Sequence, residues 1–278
     1  MVQLRFECGR TAVDMLYYPQ LSSGSVCQFP VARRTQMRVF SNQLLGGDTL
    51  RMADSGAQTV QWQLHYAGLT DAEAASIQQL FDTAQGRLDT FVFLDPTDNL
   101  LMWSEDWTQA VWTADPMLQV APGILDPFGT NNAMQLTNTA QANQRIVQAT
   151  GGPGWFQYCF SVYLRSDAPC AVQLVITSNG DDSLTEISVP STWAQAVTSA
   201  GPSIQGDGVS FGLQLPPGVS LQACAAQAEA QPAAGSYKKT TDRGGVYSTT
   251  RFDTDSLVWT TTAEDQNSCQ VSLLSRLT

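Results

Sequence analysis

The sequence predicts a mainly β protein with one helix, over about residues 70–85, and a first sheet interrupted by an antiparallel β-sandwich. Three observations predict it. Residues Thr59 to Pro96 read as a strand, a helix and a strand with each boundary signalled. Residues Phe156 to Ser166 alternate apolar and polar without a break. Short apolar alternations with Gly, Pro and Asn turns recur from there to Ala225.

Residues 1–30 show little pattern, and Tyr17-Tyr18-Pro19 with Leu21 to Ser25 reads as a loop between two short segments. Residues 32–41 form an edge or surface strand. Asn42 to Asp48 is a turn-rich loop, and Asp54-Ser55-Gly56 is a second turn. Val60, Trp62, Leu64 and Tyr66 then fall at period two, with Gln61, Gln63 and His65 between them, as in a half-buried strand. Thr70 and Glu73 have the spacing of a capping box, in which each side chain satisfies a free N–H at the helix start. Ile77, Leu80, Phe81 and Ala84 make one helical stripe, Gly86 suits the left-handed residue beyond the helix, and Thr90 to Leu94 is a strand closed by Asp95-Pro96.

Composition changes after Pro96. Asn99 to Trp107 and Trp112 open a new segment, Ile124 to Thr130 is a turn, and Arg145 to Gln148 is the next strand. Gly151-Gly152-Pro153-Gly154 reads as a flexible loop. In the clearest strand, Phe156, Tyr158, Phe160, Val162 and Leu164 form one face, and Cys159, Ser161, Tyr163 and Arg165 the other. Val172, Leu174 and Ile176 lead to an Asn179-Gly180 hairpin turn. Val209 to Leu215 alternate, Pro216-Pro217-Gly218 turns, and Val219, Leu221, Ala223 and Ala225 follow as a strand. Arg251 to Trp259 leads into a terminal strand, and Gln270 to Arg276 makes another. A folded insert with close ends costs a loop little closure entropy.

The chain of 278 residues is long enough for a sizeable core, 43% of it is hydrophobic and only 14% charged. Its net charge of -11 and the absence of any Lys/Arg run disfavour nucleic acid and anionic membranes as partners. Met1 to Cys8 lacks the apolar core of a signal peptide, and no run of about 18 apolar residues predicts a membrane helix. The six cysteines form no Cys-x-x-Cys pair and read as free, mostly buried thiols.

No catalytic motif stands out. His65, the only histidine, reads as an ordinary strand residue, and one histidine excludes a His-rich metal centre. Glu105-Asp106 and Asp181-Asp182 are adjacent pairs that would point to opposite strand faces, not across a cleft as glycoside hydrolysis needs.

The order Trp62-x-Leu64-x-Tyr66-x-Gly68-Leu69-Thr70, a helix, then Phe91-x-Phe93-x-Asp95-Pro96 resembles the minor-tail and distal-tail β-domains of tailed bacteriophages and gene transfer agents. Asn99-Leu100-Leu101, Ser104-Glu105-Asp106 and Trp107 look like the opening of a carbohydrate-binding-module-like jelly roll. Ile124 to Thr130 stands where such modules carry an aspartate-glycine turn, and Gln227 to Tyr237 resembles their closing segment. The resemblance implies a split tail-type β-domain, 1–98 plus 239–278, with 99–238 inserted as a jelly roll. It implies a non-enzymatic virion protein of the tail tip or baseplate region, assembled in the host cytoplasm. Its partners would be tube, hub and tape-measure-end proteins, further copies in a homo-oligomeric ring, and a host-surface glycan. A free-standing carbohydrate-binding module is the alternative; a glycosidase is less favoured. Such modules often hold a structural calcium, but no ligand set is legible here, and Asp181-Asp182 reads as a solvated turn. No other cofactor is expected.

Five of the seven tryptophans, Trp103, Trp107, Trp112, Trp155 and Trp193, lie in the inserted region. Most read as packing. Tyr163 and Arg165, on the non-core face of the best strand, and Trp155 are the candidate glycan-binding residues.

Overall fold

A computed structural model describes residues 15–201 and 206–277, and all that follows concerns these; the readings of Met1 to Cys8 lie outside them. The organising strand is longer than its pattern. β1 (Val31–Gln43) and β2 (Thr49–Leu69) form one long antiparallel hairpin closed by the Leu44 to Asp48 turn. Val60, Trp62, Leu64 and Tyr66 are buried, as the alternation predicts. Asp54-Ser55-Gly56 is not a turn. It lies within β2, where the register slips between Gln36, opposite Thr59, and Arg38, opposite Asp54. Residues that favour turns also accommodate the extra length of a bulge.

Helix α1 (Asp71–Thr83) opens on the full capping box: the Thr70 hydroxyl accepts from Glu73 N, and the Glu73 carboxylate accepts from Thr70 N at 2.9 Å. Ile77 and Leu80 are its buried stripe. Both Gln85 (φ 51°) and Gly86 (φ 63°) are left-handed at its end, where Gly86 N reaches Phe81 O at 3.0 Å. Glu73 does more than cap. The Ser22 hydroxyl and N–H donate to its other oxygen at 2.6 and 2.9 Å, tying segment 15–30 to the helix. Partial burial raises its pKa from 4.5, but the bonds from Ser22 and Thr70 outweigh this and bring it to about 2. A carboxyl depressed in the folded state stabilises above its unfolded pKa, and that contribution fades as pH falls from 4.5 to about 2. After solvent screening it is worth about 1 kcal/mol. Glu73→Gln should flatten this part of the stability–pH curve in urea titrations; an unchanged slope would remove Glu73 as its source.

After β3 (Phe91–Leu94), all four residues of which are buried, the chain leaves the first sheet. It forms β4 (Trp112–Ala114), β5 (Leu118–Ile124), β6 (Ala133–Asn138), β7 (Gln144–Pro153) and β8 (Tyr158–Arg165). β9 (Cys170–Ser178), β10 (Asp181–Val189), β11 (Ala194–Ala200), β12 (Asp207–Leu215) and β13 (Ser220–Glu229) follow. These ten strands make two five-stranded antiparallel sheets, ordered β10-β9-β12-β7-β4 and β11-β8-β13-β6-β5. Phe156, Tyr158, Phe160, Val162 and Leu164 are buried in the core, along with Val209, Phe211, Leu213 and Leu215. Asn179 (φ 50°) and Gly180 (φ 85°) are both left-handed, as a two-residue hairpin turn of type I′ requires.

Two readings change here. Gly151, Gly152 and Pro153 belong to β7 and are not a flexible loop. A Cβ on Gly152 would stand 2.5 Å from the Tyr158 hydroxyl, so glycine makes room for a buried ring. Asp181 and Asp182 open β10 instead of forming the turn; Asp182, though exposed, pairs with Arg145 at 2.6 Å and accepts from the Thr177 hydroxyl at 2.7 Å.

β14 (Val246–Phe252), β15 (Trp259–Ala263) and β16 (Gln266–Leu277) return to the first sheet, whose order is β1-β2-β16-β14-β3, with β15 beside β16. Exit and return lie side by side. Asn99, fully buried, donates to Ala226 O and Lys238 O and accepts from Leu101 N and Ala228 N. Gly245 N donates to Asn99 O at 2.6 Å. Five described cysteines are free thiols, four of them buried, and burial raises Cys27, Cys224 and Cys269 to about 12 and Cys159 to about 11. Those four remain protonated at neutral pH and are poor nucleophiles. No helix among the described residues is long and apolar enough to cross a membrane.

Candidate functional site

The outer face of the β11-β8-β13-β6-β5 sheet carries the candidate site. Strand pairing places Tyr163 between Gln195 and Cys224, and Arg165 beside Gln222. The Arg165 guanidinium lies 5.5 Å from the centre of the Trp193 ring and donates to the Gln222 side chain. Trp193 comes from the turn just before β11, so the pairing of β11 with β8 brings it to Arg165.

Two further aromatic rings complete the face. Phe128, half exposed, meets Tyr163 edge-on at 5.4 Å and stacks on Tyr237 at 5.7 Å. The Ile124 to Thr130 turn holds it there. Asp126 accepts from Phe128 N at 2.8 Å and Thr130 N at 3.0 Å, and Gly129 takes φ 86°. Burial raises the Asp126 carboxyl, but these donors and the Thr130 hydroxyl outweigh it and hold the group below its ordinary range. It anchors the turn and has no lone pair to spare for a reaction. The Tyr237 hydroxyl bonds Ser104 at 2.8 Å and Glu105 at 3.2 Å. Burial pushes its pKa up, so it remains a neutral hydroxyl.

Glu105 and Asp106 lie in a turn, not on a strand. Glu105 pairs with Lys239 at 2.5 Å and accepts from Asn132 at 3.0 Å. Asp106 accepts from the Thr108 hydroxyl at 2.6 Å and the Gln109 amide at 2.7 Å, bonds that lower its pKa. Both carboxyls are thus engaged by neighbouring groups, whereas glycoside hydrolysis uses two carboxyls facing each other across a cleft.

Of the three candidates from the sequence, Tyr163 and Arg165 lie on the same face of β8. Trp155 does not join them. It stands before the first residue of β8, at the opposite end from Tyr163 and Arg165, and packs edge-on against Tyr17 at 5.2 Å. It is 36% exposed because it spans a junction, where Gln20 also donates to Gln157 O at 2.9 Å and accepts from Gln157 N at 2.8 Å. Trp107 and Trp112 stack on each other, buried, at 4.9 Å. Phe128 and Tyr237 were missed as site residues. Only the turn chemistry around Asp126 could have signalled the first, and nothing local signals the second.

His65 is exposed on β2, opposite Gln270, beside a shallow groove of 530 Å³ lined largely by Ser and Thr. Among the described residues no group of three or more His, Cys, Asp or Glu is placed to hold a metal ion.

No protein-family model matches the chain, and no curated protein matches it. Solved structures do. The CBM22-1 xylan-binding domain from Paenibacillus barcinonensis is 15% identical, with 50% of this chain and 99% of that chain covered and a TM-score of 0.40. TmCBM61, solved in complex with β-1,4-galactotriose, is 10% identical, with 47% and 97% covered and a TM-score of 0.35. The enzymatically active domain of bacteriophage CBA120 tailspike protein 4 is 10% identical, with 49% of this chain and 22% of that chain covered and a TM-score of 0.37. At such identities and scores no residue role or ligand passes from those proteins to this one.

Proposed function

We propose that this chain is a structural component of a phage-tail-type particle and presents a glycan-binding β-sandwich. The observation that carries the binding half is the outer sheet face just described. Phe128, Tyr163 and Trp193 offer apolar ring surface to the C–H faces of a sugar, and Arg165, Gln195 and Gln222 offer donors and acceptors to its hydroxyls. We read the site as binding without turnover, since Glu105 and Asp106 are already engaged by neighbouring groups.

The particle half draws its support from the first sheet. The β1–β2 arm runs beyond the last rung that β2 makes with β16, at Gln58, and residues 32–53 are exposed throughout. Met37, Phe40, Leu50 and Met52 are each about half exposed or more, which suits a protein that works inside an assembly. Residues 99–238 are read as an insert in this sheet, held at its neck by Asn99.

A glycan array probed with the full chain, followed by calorimetry on the best ligand, tests the binding half. Tyr163→Ala and Trp193→Ala should each weaken binding by about 1 kcal/mol, roughly fivefold, while Trp155→Ala leaves it unchanged. Equal binding by all three variants, or no glycan bound, would discard this face. Immunogold microscopy of particles tests the other half, with label expected at the tail tip.

A further inference from the structure

The first sheet has opposite charge at its two ends. Near the base of the arm, a groove of 420 Å³ is lined by Arg34, Arg276, Gln36, Thr59 and Gln61, among others. Gln36 pairs with Thr59 and Thr59 with Arg276, while Arg34 pairs with Gln61. Both arginines therefore project from the outer face, away from buried Trp62 and Leu64. Asp253, at the groove wall, accepts from the Gln61 amide at 2.5 Å, and Arg38 is paired with Asp54. Among the described residues, the side chains of Arg34 and Arg276 have neither a hydrogen bond nor an ion pair. Two unpaired guanidinium groups, facing only the Asp253 carboxylate that already accepts from Gln61, leave the groove net positive on a chain of net charge -11.

At the far end of the same strands stands an acidic turn. Glu264 and Asp265 close the β15–β16 hairpin, and Asp265 accepts from Asp71 N at 2.8 Å. Leu69, the last residue of β2, pairs with Asn267, while Arg276 pairs with Thr59 near the arm. Ten residues of β16 separate the turn from Arg276, about 33 Å. Glu264 is exposed and has no partner among the described residues.

We infer that copies of this chain associate head to tail, the Glu264–Asp265 turn of one entering the Arg34/Arg276 groove of the next. Charge complementarity selects this occupant. Four arginines and two aspartates between residues 31 and 61 make the arm region +2, so the rest of the chain carries -13. A groove of this size admits a two-residue turn, and opposed charges fix register as well as rate of encounter. The arm gains cover by the same contact. A lone two-stranded ribbon is marginal in water, and the face bearing Phe40, Leu50 and Met52 needs a surface to lie on. The contact joins two different patches, so it repeats from copy to copy, closing a ring or extending a filament according to the rotation between neighbours. This inference rests on the assembly reading above and names its contact.

Sedimentation of the full chain at about 50 mM and about 500 mM salt tests it. The wild type should associate at low salt and dissociate at high salt. Arg276→Glu, Arg34→Glu and Glu264→Arg, all surface changes, should each weaken association about tenfold or more. The pair Arg276→Glu with Glu264→Arg should restore it. A monomeric wild type at low salt, single reversals that associate like the wild type, or a swapped pair that stays apart would each overturn the contact. None of these outcomes decides where the protein sits in a particle: label at the tail tip with association that ignores the reversals discards this contact alone, and charge-swap rescue with unlabelled particles discards the particle reading alone.

Discussion

Trp62→Ala should lower the unfolding free energy by about 3–5 kcal/mol, measured by urea denaturation followed in the far ultraviolet. Trp62, on β2, is fully buried. Its ring meets Phe93 at 5.0 Å and Tyr247 at 4.7 Å, both edge-on, so truncation opens a cavity between three strands that cannot close without moving all of them. The indole N–H also donates to Asp95 at 2.9 Å. Asp95 is buried and further held by Thr97 N at 2.9 Å, the Thr97 hydroxyl at 2.7 Å and Arg33 at 3.3 Å. Losing one donor leaves a buried carboxylate short of a partner. Trp62→Phe separates the two effects. It keeps most of the ring contact and removes the donor, so its cost of about 1–3 kcal/mol reports the Asp95 bond. A cost for Trp62→Ala under about 1.5 kcal/mol would mean that the sheet collapses around the hole or that the core is not centred there.

The elements that were legible in the sequence are those whose signal is local. The Thr70–Glu73 box, the Asn179-Gly180 turn and the alternations through Trp62 and Phe160 each depend on residues a few positions apart. β10 and β11 escaped because they lack that signal. β10 reads Asp-Asp-Ser-Leu-Thr-Glu-Ile-Ser-Val and β11 is built from Ala, Gln, Val, Thr and Ser, so neither shows a sustained apolar face. They are strands because β9 and β8 offer open edges to pair with. Asp54 to Gly56 and Gly151 to Pro153 failed in the opposite sense: turn-like residues sit in strands, one at a bulge and one where Tyr158 needs room.

The site divides in the same way. Tyr163 and Arg165 could be read because β8 alternates and its core face is unmistakable. Phe128, Trp193 and Tyr237 lie 35, 30 and 74 residues from Tyr163 in sequence and reach it only through sheet order. Trp155 was drawn in because a flat aromatic face suits a sugar ring; it packs against Tyr17, from the chain's first segment, and lies away from Tyr163 and Arg165. The charged groove shows a third case. Arg34 and Arg276 are 242 residues apart, and only the placement of β16 beside β2 puts them together.

Gly212→Ala should destabilise the sandwich by more than about 3 kcal/mol, although the new methyl group is small and touches no site residue. Gly212 sits in β12, in the middle of its sheet, paired with Val147 on one side and Val175 on the other. A Cβ there would overlap the Ile146 carbonyl oxygen and stand 2.8 Å from the Val147 Cα and 2.9 Å from the Ile146 carbonyl carbon. These are backbone atoms, so no side chain can rotate away. Either β7 moves off β12, which breaks a central ladder, or the sheet bends and disturbs buried Phe211 and Leu213 on the other side of the strand. For a chain of this size each kcal/mol is worth about 2–4 °C, so the melting temperature should fall by about 6 °C or more. Gly180→Ala is the comparison. It carries φ 85° but has open space around its Cβ, so its cost is local strain of about 1 kcal/mol. If both variants melt alike, close packing of β7 on β12 is not what makes position 212 a glycine. If Gly212→Ala alone falls sharply and loses glycan binding, the outer face of the facing sheet depends on the intact sandwich behind it.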